Sequence, residues 1–112
     1  MQSFEVQSVE HEQYRILVAP AANDRMNEHF EFLANVNENA ATRLLDSLLA
    51  GIRSLETMPQ RNPTYNRPYL KSGKYRYLLV AERYRVVYQI EDDVVFVDDI
   101  QDCRQSDDAN LV

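Results

Sequence analysis

KYRYLLVAERYRVVYQI, residues 74–90, forms the centre of the fold that we predict for this chain. It contains two β-rich runs on either side of residues 81–83, and arginine and tyrosine alternate with aliphatic residues in both. A third run, VVFVDDI at 94–100, follows the acidic residues 91–93. Three such runs in series, joined by short turns, predict an antiparallel meander.

Positive charge is concentrated around this hairpin. Residues 61–85 carry seven cations and one acid, for a net charge of +6, whereas residues 1–60 carry −5 and residues 86–112 carry −7. Six of the seven tyrosines lie in or beside the basic segment. Cations interleaved with aromatic side chains can bind phosphates and stack on bases. The same pattern also fits a solvated sheet face, because tyrosine is a good strand former and exposed cations are common.

Length and composition limit the class of protein. The 112 residues, 45% of them hydrophobic, predict one domain with a modest core. No apolar run of about 18 residues is present, so a membrane partner is not expected. The single cysteine, Cys103, leaves no internal disulfide and favours a cytoplasmic location. The net charge of −6 argues against general coating of nucleic acid, but it permits a local basic site.

The segment before the hairpin predicts a strand and a helix. Residues 14–18 are β-rich, and residues 1–13 before them are expected to be a flexible arm. Pro20 suits the first turn of a helix, and apolar residues recur at helical spacing after Ala22. These apolar residues are Met26, Phe30, Leu33 and either Phe32 or Val36.

A second helix is predicted by a regular apolar stripe of the width needed to pack on a sheet. The stripe consists of Ala41, Leu44, Leu45, Leu48, Ile52 and Leu55. Asparagines at 35, 37 and 39 interrupt the pattern before it and can cap the new helix. Gly51 costs about 1 kcal/mol relative to alanine in a helix, which indicates a close contact. Met58-Pro59 is expected to end the helix, and a proline-rich loop follows at 59–73.

The order of elements predicts an α+β sandwich over residues 14–105, with a fraying tail at 106–112. Two antiparallel helices should pack on one face of a four-stranded, mainly antiparallel sheet, while the opposite, outer face stays open. The first strand could pair at an edge or between later strands. Alternation places three groups of residues on common faces. These are Arg76, Leu78 and Val80; Arg85, Val87 and Gln89; and Tyr84, Val86, Tyr88 and Ile90, the last group facing the helices.

Three stretches resemble the RelE/ParE superfamily of bacterial type II toxin–antitoxin toxins. They are VAPAANDRMNEHFEFL at 18–33, NAATRLLDSLLAGIRSLETMPQRNP at 39–63, and KYRYLLVAERYRVVYQIEDDVVFVDDIQDCRQ at 74–105. The resemblance implies a small cytoplasmic toxin with a cognate antitoxin, of the kind associated with plasmid stabilization, and it leaves homo-oligomers open. It also implies the compact sandwich predicted above.

The superfamily implies two kinds of target. RelE-like members are mRNA interferases that cut mRNA on the ribosome, and ParE-like members inhibit DNA gyrase without cutting RNA. A RelE-like, metal-independent endoribonuclease needs cations to stabilise charge on the reacting phosphate and a group to move the 2′-OH proton. We take RelE-like action on the ribosome and mRNA as the first expectation. A ParE-like gyrase inhibitor and a toxin-fold protein without activity are the alternatives.

The resemblance also implies candidate site residues. Arg85 matches the strand arginine of RelE-like toxins, Arg76 stands where they carry a lysine, and Arg104 falls near an arginine after their last strand. These three are the candidate catalytic residues, acting from the outer face. Lys71, Lys74 and Arg83 are the candidate RNA-binding residues. Leu78 replaces a second basic residue, and residues 106–112 lack the terminal tyrosine of many RelE-like enzymes.

The same residues could instead have purely structural roles. Arg85 could pair with Glu82 or Glu91, and Arg104 with Asp102, as surface ion pairs of about 0–1 kcal/mol. Tyr84, Tyr88 and His29 are expected to be structural, as is Cys103. The acids Asp98, Asp99 and Asp102 come from one strand end without a nearby histidine. Neither a metal site nor a cofactor is therefore expected.

Overall fold

Two helices and four strands make up the computed structural model, which describes residues 13–104. Their order is β1 (Arg15–Val18), α1 (Pro20–Ala34), α2 (Glu38–Ser54), β2 (Tyr75–Val80), β3 (Tyr84–Glu91) and β4 (Val94–Asp102). A single 3₁₀ turn, Pro59–Arg61, follows α2. The predicted arm, apart from Gln13, and the predicted tail at 106–112 lie outside the described residues. Within the described range neither helix is long and apolar enough to cross a membrane.

The sheet has the strand order β1-β4-β3-β2. The strands β2, β3 and β4 form the predicted antiparallel meander, and β1 joins the edge parallel to β4, so that Arg15 pairs with Val94 and Val18 with Val97. The α+β sandwich with a mainly antiparallel sheet is therefore confirmed. The position of β1, which the pattern left open, is an edge.

Helix α2 begins and packs as the apolar stripe predicts. The Asn37 side chain accepts a hydrogen bond of 3.0 Å from the backbone N–H of Ala40, so the predicted asparagine cap is present. The buried residues of the stripe are Ala41, Leu44, Leu48, Ile52 and Leu55. The helix ends at Ser54, before the predicted Met58-Pro59, because a turn at Leu55 carries the chain back towards the sheet.

Helix α1 buries Ala22 and Met26 against the core, and Leu33 packs beside them. The prediction that Phe32 or Val36 completes this stripe is wrong, because their exposed fractions are 59% and 77%. Val36 lies beyond the helix, which ends at Ala34. These two apolar side chains are consequently displayed on the surface.

Gly51 allows α2 to approach the sheet closely. A Cβ atom at this position would lie 2.9 Å from Val80 Cγ2 and 3.2 Å from Leu78 Cδ2. The first distance is shorter than real side-chain contacts, so alanine would force the helix or the strand to move. The close contact inferred from the sequence is therefore confirmed, and Leu78 and Val80 lie on the helix side of β2.

The strand β4 contains a β-bulge where it pairs with β3. Val87 pairs with Asp99 but Tyr88 pairs with Val97, so Asp98 is an extra residue. Because of this insertion Val97 and Ile100 both reach the core. The prediction that Tyr84, Val86, Tyr88 and Ile90 face the helices is confirmed.

The outer face of the sheet, which carries Tyr77, Arg85, Val87 and Gln101, is not open along its whole length. The loop at 59–73 crosses the edge at β2 and places Tyr65 over this face, where only 4% of Tyr65 is exposed. The prediction of an open outer face is therefore wrong. The alternation of side chains predicts which residues of a strand share a face. It carries no information on where a loop folds, so it could not predict that Tyr65 covers this face.

We expect Leu48→Ala to lower the free energy of unfolding by about 2–5 kcal/mol, because it empties a packed core position. Leu48 is 1% exposed, whereas its neighbour Leu49 is 45% exposed. Leu49→Ala is therefore the matched control, and it should change stability by less than about 1 kcal/mol. Urea unfolding followed by circular dichroism measures both. Equal effects of the two variants would contradict the placement of α2.

Candidate functional site

The loop at 59–73 is attached to the core through Tyr88. The Tyr88 hydroxyl donates to the carbonyl oxygen of Pro59 at 2.6 Å and accepts from Asn62 Nδ2 at 3.0 Å. Burial raises the pKa of Tyr88, and this outweighs the opposite effect of the hydrogen bond from Asn62. The predicted structural role of Tyr88 is thus accompanied by a second one, which is to fix the start of the loop.

Arg76 holds the same part of the loop. It pairs with Tyr88 across the sheet, and its Nη1 donates to the carbonyl oxygen of Asn62 at 2.6 Å. Arg76 shares its face of β2 with Leu78 and Val80, which lie against Gly51 of α2. The expectation that Arg76 and Arg85 act together from the outer face is therefore wrong, since Arg76 lies on the helix side.

Past Asn62 the loop runs beside the edge of β2. Tyr77 donates its backbone N–H to the carbonyl oxygen of Pro63 at 3.1 Å, and Tyr65 donates its own to the carbonyl oxygen of Tyr75 at 2.7 Å. These bonds turn the Tyr65 ring onto the outer face, where its centroid lies 6.2 Å from that of Tyr77 in an edge-on arrangement.

Arg85 lies on the outer face beneath this ring, as alternation predicts. Its Nη1 donates to Gln101 Oε1 at 2.9 Å, and the Tyr65 hydroxyl donates to the same oxygen at 3.3 Å. The guanidinium carbon of Arg85 lies 5.3 Å from the centroid of Tyr65 and 5.6 Å from that of Tyr77. Arg85 is thus held in a cation–aromatic cluster.

A second arginine from the loop joins the cluster. The guanidinium carbon of Arg67 lies 4.3 Å from the Tyr65 centroid, closer than that of Arg85. A cavity of about 300 Å³ lies between the loop and the sheet. It is lined by Thr64, Tyr65, Asn66, Arg67, Tyr77 and Arg85.

The other side of Tyr65 is acidic. A cavity of about 200 Å³ there is lined in part by Asp98 and Asp99, and Tyr65 forms a wall of both cavities. Asp99 pairs with Arg25 of α1 at 3.1 Å and accepts from Gln101 Nε2 at 3.2 Å. The outer face therefore presents a basic half and an acidic half, separated by one buried tyrosine.

Arg83 and Asp102 form an ion pair at the far end of the β2–β3 hairpin. Arg83 donates through Nε at 3.2 Å and through Nη2 at 2.8 Å to the two oxygens of Asp102, which is buried. Burial alone would raise the pKa of Asp102, but hydrogen bonds from Arg83 and from the backbone N–H of Arg104 hold it below its ordinary value. We expected the Arg104 side chain to pair with Asp102, but the ion pair of Asp102 is with Arg83.

The remaining candidates lie at the two ends of β2 or beyond the end of β4. Lys71 and Lys74 are exposed at the start of β2, while Arg83 follows its end, a separation of about 20 Å for six strand residues. Arg104 is exposed beyond the end of β4. The structure therefore does not bring the six predicted catalytic and RNA-binding residues together on one surface.

Sequence reasoning missed Arg67, Tyr65 and Gln101, which surround Arg85. The sequence offered one signal, a tyrosine and an arginine within the proline-rich loop, but the loop has no periodicity that could place them. His29 is structural as predicted, since its Nε2 lies 2.8 Å from the carbonyl oxygen of Ile100 and its ring packs on Tyr84. Among residues 13–104 no group of three or more metal-ligating side chains is assembled.

Comparison with known proteins adds a family match. The protein-family model for the ParE toxin of the type II toxin–antitoxin system parDE matches residues 16–106 of this chain. A solved structure of a chromosomal ParDE toxin–antitoxin system from P. aeruginosa superimposes with a TM-score of 0.67, covering 82% of this chain and 97% of the other. Its identity to this chain is 11%, so that likeness concerns the fold. No curated protein sequence matches significantly.

We expect Asp102→Asn to destabilise the protein at neutral pH and to make little difference in acid. Breaking a buried ion pair costs about 3–5 kcal/mol, and less here because Arg83 is partly exposed. Since the pKa of Asp102 is lowered on folding, its contribution is present above the unfolded pKa of about 3.9 and is lost as the pH falls through the folded value. Chemical unfolding of both proteins between pH 7 and pH 3 measures the difference, and a difference that stays constant over this range would contradict the assignment.

Proposed function

The chain belongs to the ParE toxin family of type II toxin–antitoxin systems, and on that premise we propose that it inhibits DNA gyrase by protein–protein binding, without catalysing a reaction. Membership implies an antitoxin partner. The proposal replaces our first expectation, which was RelE-like cleavage of mRNA on the ribosome.

Separation of the candidate catalytic arginines is the observation that carries the proposal. A nuclease of this kind needs several cations around one phosphate, held in a preorganised arrangement. Arg76 instead binds the Asn62 carbonyl oxygen on the helix side, and Arg104 lies beyond β4. Arg85 alone of the three is on the outer face, beneath Tyr65.

Proton transfer is a second requirement that the site meets poorly. The reaction needs a side chain to take the 2′-OH proton, most often a histidine. Of the histidines, His29 is the one within the described residues, and its ring contacts the Ile100 carbonyl oxygen and Tyr84 on the helix side. This arrangement supports a binding function over a catalytic one.

RNA cleavage keeps one observation in its favour, which makes it the second candidate. Arg67 and Arg85 lie beside two tyrosine rings, and such clusters can hold a phosphate and stack a base. A cleaving enzyme built on this cluster would depend strongly on Arg85.

Surface apolar side chains on α1 offer a contact for a protein target. Phe32 is exposed on α1, and Val36 is exposed two residues past its end. Large aromatic side chains are frequent anchors of protein interfaces, and truncating such an anchor typically costs about 2 kcal/mol or more. We therefore place part of the target contact at this end of α1.

We expect the purified protein to block supercoiling by gyrase and to leave mRNA intact in a ribosome-dependent cleavage assay. Phe32→Ala should weaken inhibition of supercoiling by at least about tenfold, the equivalent of 1.4 kcal/mol. Arg85→Ala should retain inhibition, because its side chain lies on the outer face of the sheet and α1 packs on the other face. Arg43→Ala, an exposed change on α2, is the control for nonspecific charge effects.

The opposite pattern would favour the second candidate. If wild type cuts mRNA and Arg85→Ala slows the cutting by about 10²–10³, as loss of a transition-state contact does, the protein is a nuclease and the proposal is wrong.

A further inference from the structure

The cavity of about 200 Å³ on the acidic half of the outer face has aromatic walls. Tyr65, Tyr69 and Tyr75 line it, and Asp98 and Asp99 are among the same lining residues. The face of an aromatic ring attracts a cation that lies within about 6 Å of its centroid, and a carboxylate attracts the cation directly. The rings and the carboxylates of this cavity therefore favour the same ligand charge, which is positive.

The bulge in β4 brings the two carboxylates to one cavity. Successive side chains of a regular strand point to opposite faces of the sheet, so Asp98 and Asp99 would be separated without it. Asp98 is the extra residue of the bulge, since Asp99 pairs with Val87 and Val97 pairs with Tyr88. Bulges are frequent next to active sites, where they re-aim a side chain.

Asp98 has more capacity for a ligand than Asp99. Asp99 pairs with Arg25 at 3.1 Å and accepts from Gln101 Nε2 at 3.2 Å. Asp98 accepts from Gln89 Nε2 through its Oδ2 at 2.7 Å. Its Oδ1 has no hydrogen-bond or ion-pair partner among the described residues, and the side chain is half-buried, so solvent still reaches it.

The chemistry of the lining selects the kind of cation. Calcium and magnesium take six or more oxygen ligands, and aromatic rings supply none. A guanidinium pairs best with both oxygens of a carboxylate, but Gln89 already donates to Asp98 Oδ2. A compact ammonium group can use the remaining oxygen alone. We therefore propose that this cavity binds a primary ammonium group on an alkyl chain, as in a polyamine or a lysine side chain, with the nitrogen donating to Asp98 Oδ1.

The cavity is reachable from solvent, since Tyr69 is 73% exposed. An ammonium group already lies against one of its rings, because Lys74 Nζ is 5.4 Å from the Tyr75 centroid. Lys74 is not among the lining residues, and it is exposed, so water and salt screen its charge. The site is on the outer face, apart from the contacts proposed on α1, and does not depend on gyrase being the target.

Four probes test the site in NMR titrations of the isotopically labelled full-length chain. They are putrescine, the peptide acetyl-Gly-Lys-Gly-amide, 1-butanol and tetramethylammonium. We expect putrescine and the lysine peptide to shift the backbone amide signals of residues 69–70 and 98–99, with dissociation constants in the millimolar range. The tighter of the two identifies the source of the ammonium group. The uncharged 1-butanol should leave these signals unchanged, and tetramethylammonium, which has no N–H donor, should bind about tenfold more weakly than putrescine.

Variants locate the site and separate it from general charge attraction. Asp98→Asn should weaken putrescine binding at least about tenfold, because it removes the charge but keeps an acceptor for Gln89. Tyr69→Leu should weaken binding at least about twofold, whereas Tyr69→Phe keeps the ring and should bind like wild type. Asp46→Asn, an exposed change on α2, is the control for net charge and should also bind like wild type. Unchanged α2 amide signals in each variant would show that the fold is retained.

Four results would overturn the proposal. Equal shifts with 1-butanol would mean that the cavity does not recognise charge. Tetramethylammonium binding as tightly as putrescine would mean that Asp98 accepts no hydrogen bond from the ligand. Equal effects of Asp98→Asn and Asp46→Asn would reduce the binding to general attraction by an acidic chain. Absence of shifts at tens of millimolar putrescine and lysine peptide would mean that no ammonium group binds there.

Discussion

The buried hydroxyl of Tyr88 joins the core of the domain to the long loop at 59–73. A buried hydroxyl without a partner costs about 1–3 kcal/mol, so the core requires a polar group to come down to it. That group is the start of the long loop, through the Pro59 carbonyl oxygen and the Asn62 side chain. Arg76 binds the Asn62 carbonyl oxygen from the same side of the sheet. A loop of irregular sequence is thereby tied to the packed centre of the domain.

This attachment determines what the outer face can do. Because the loop leaves the core at Asn62 and pairs with β2, Tyr65 falls across the face and separates Arg67 and Arg85 from Asp98 and Asp99. A surface divided in this way is poorly suited to a continuous run of phosphates. It suits the mixed charges of a protein segment better, which supports our proposal that this ParE-family chain acts by binding a protein.

Regular elements could be predicted from the sequence because their physics is local. The apolar stripe placed α2, asparagine supplied its cap, and alternation assigned both faces of β3. Alternation also grouped Arg76 with Leu78 and Val80, and that grouping is correct. The error came from the resemblance, which suggested an outer-face role for Arg76. The position of Tyr65 and the bulge at Asp98 depend on contacts distant in sequence, which no local pattern carries.

Amide hydrogen exchange of Tyr65 and Tyr77, whose N–H groups bond across the loop and β2, measures how firmly the core holds the loop. In wild type both should exchange slowly, and in Tyr88→Phe, which removes only the hydroxyl, they should exchange at least about tenfold faster, since 1.4 kcal/mol of local opening is a factor of ten. Amides of α2 should keep their protection in both proteins. Fast exchange of Tyr65 and Tyr77 in wild type, or equal protection in Tyr88→Phe, would contradict the claim that the core holds the loop across the sheet.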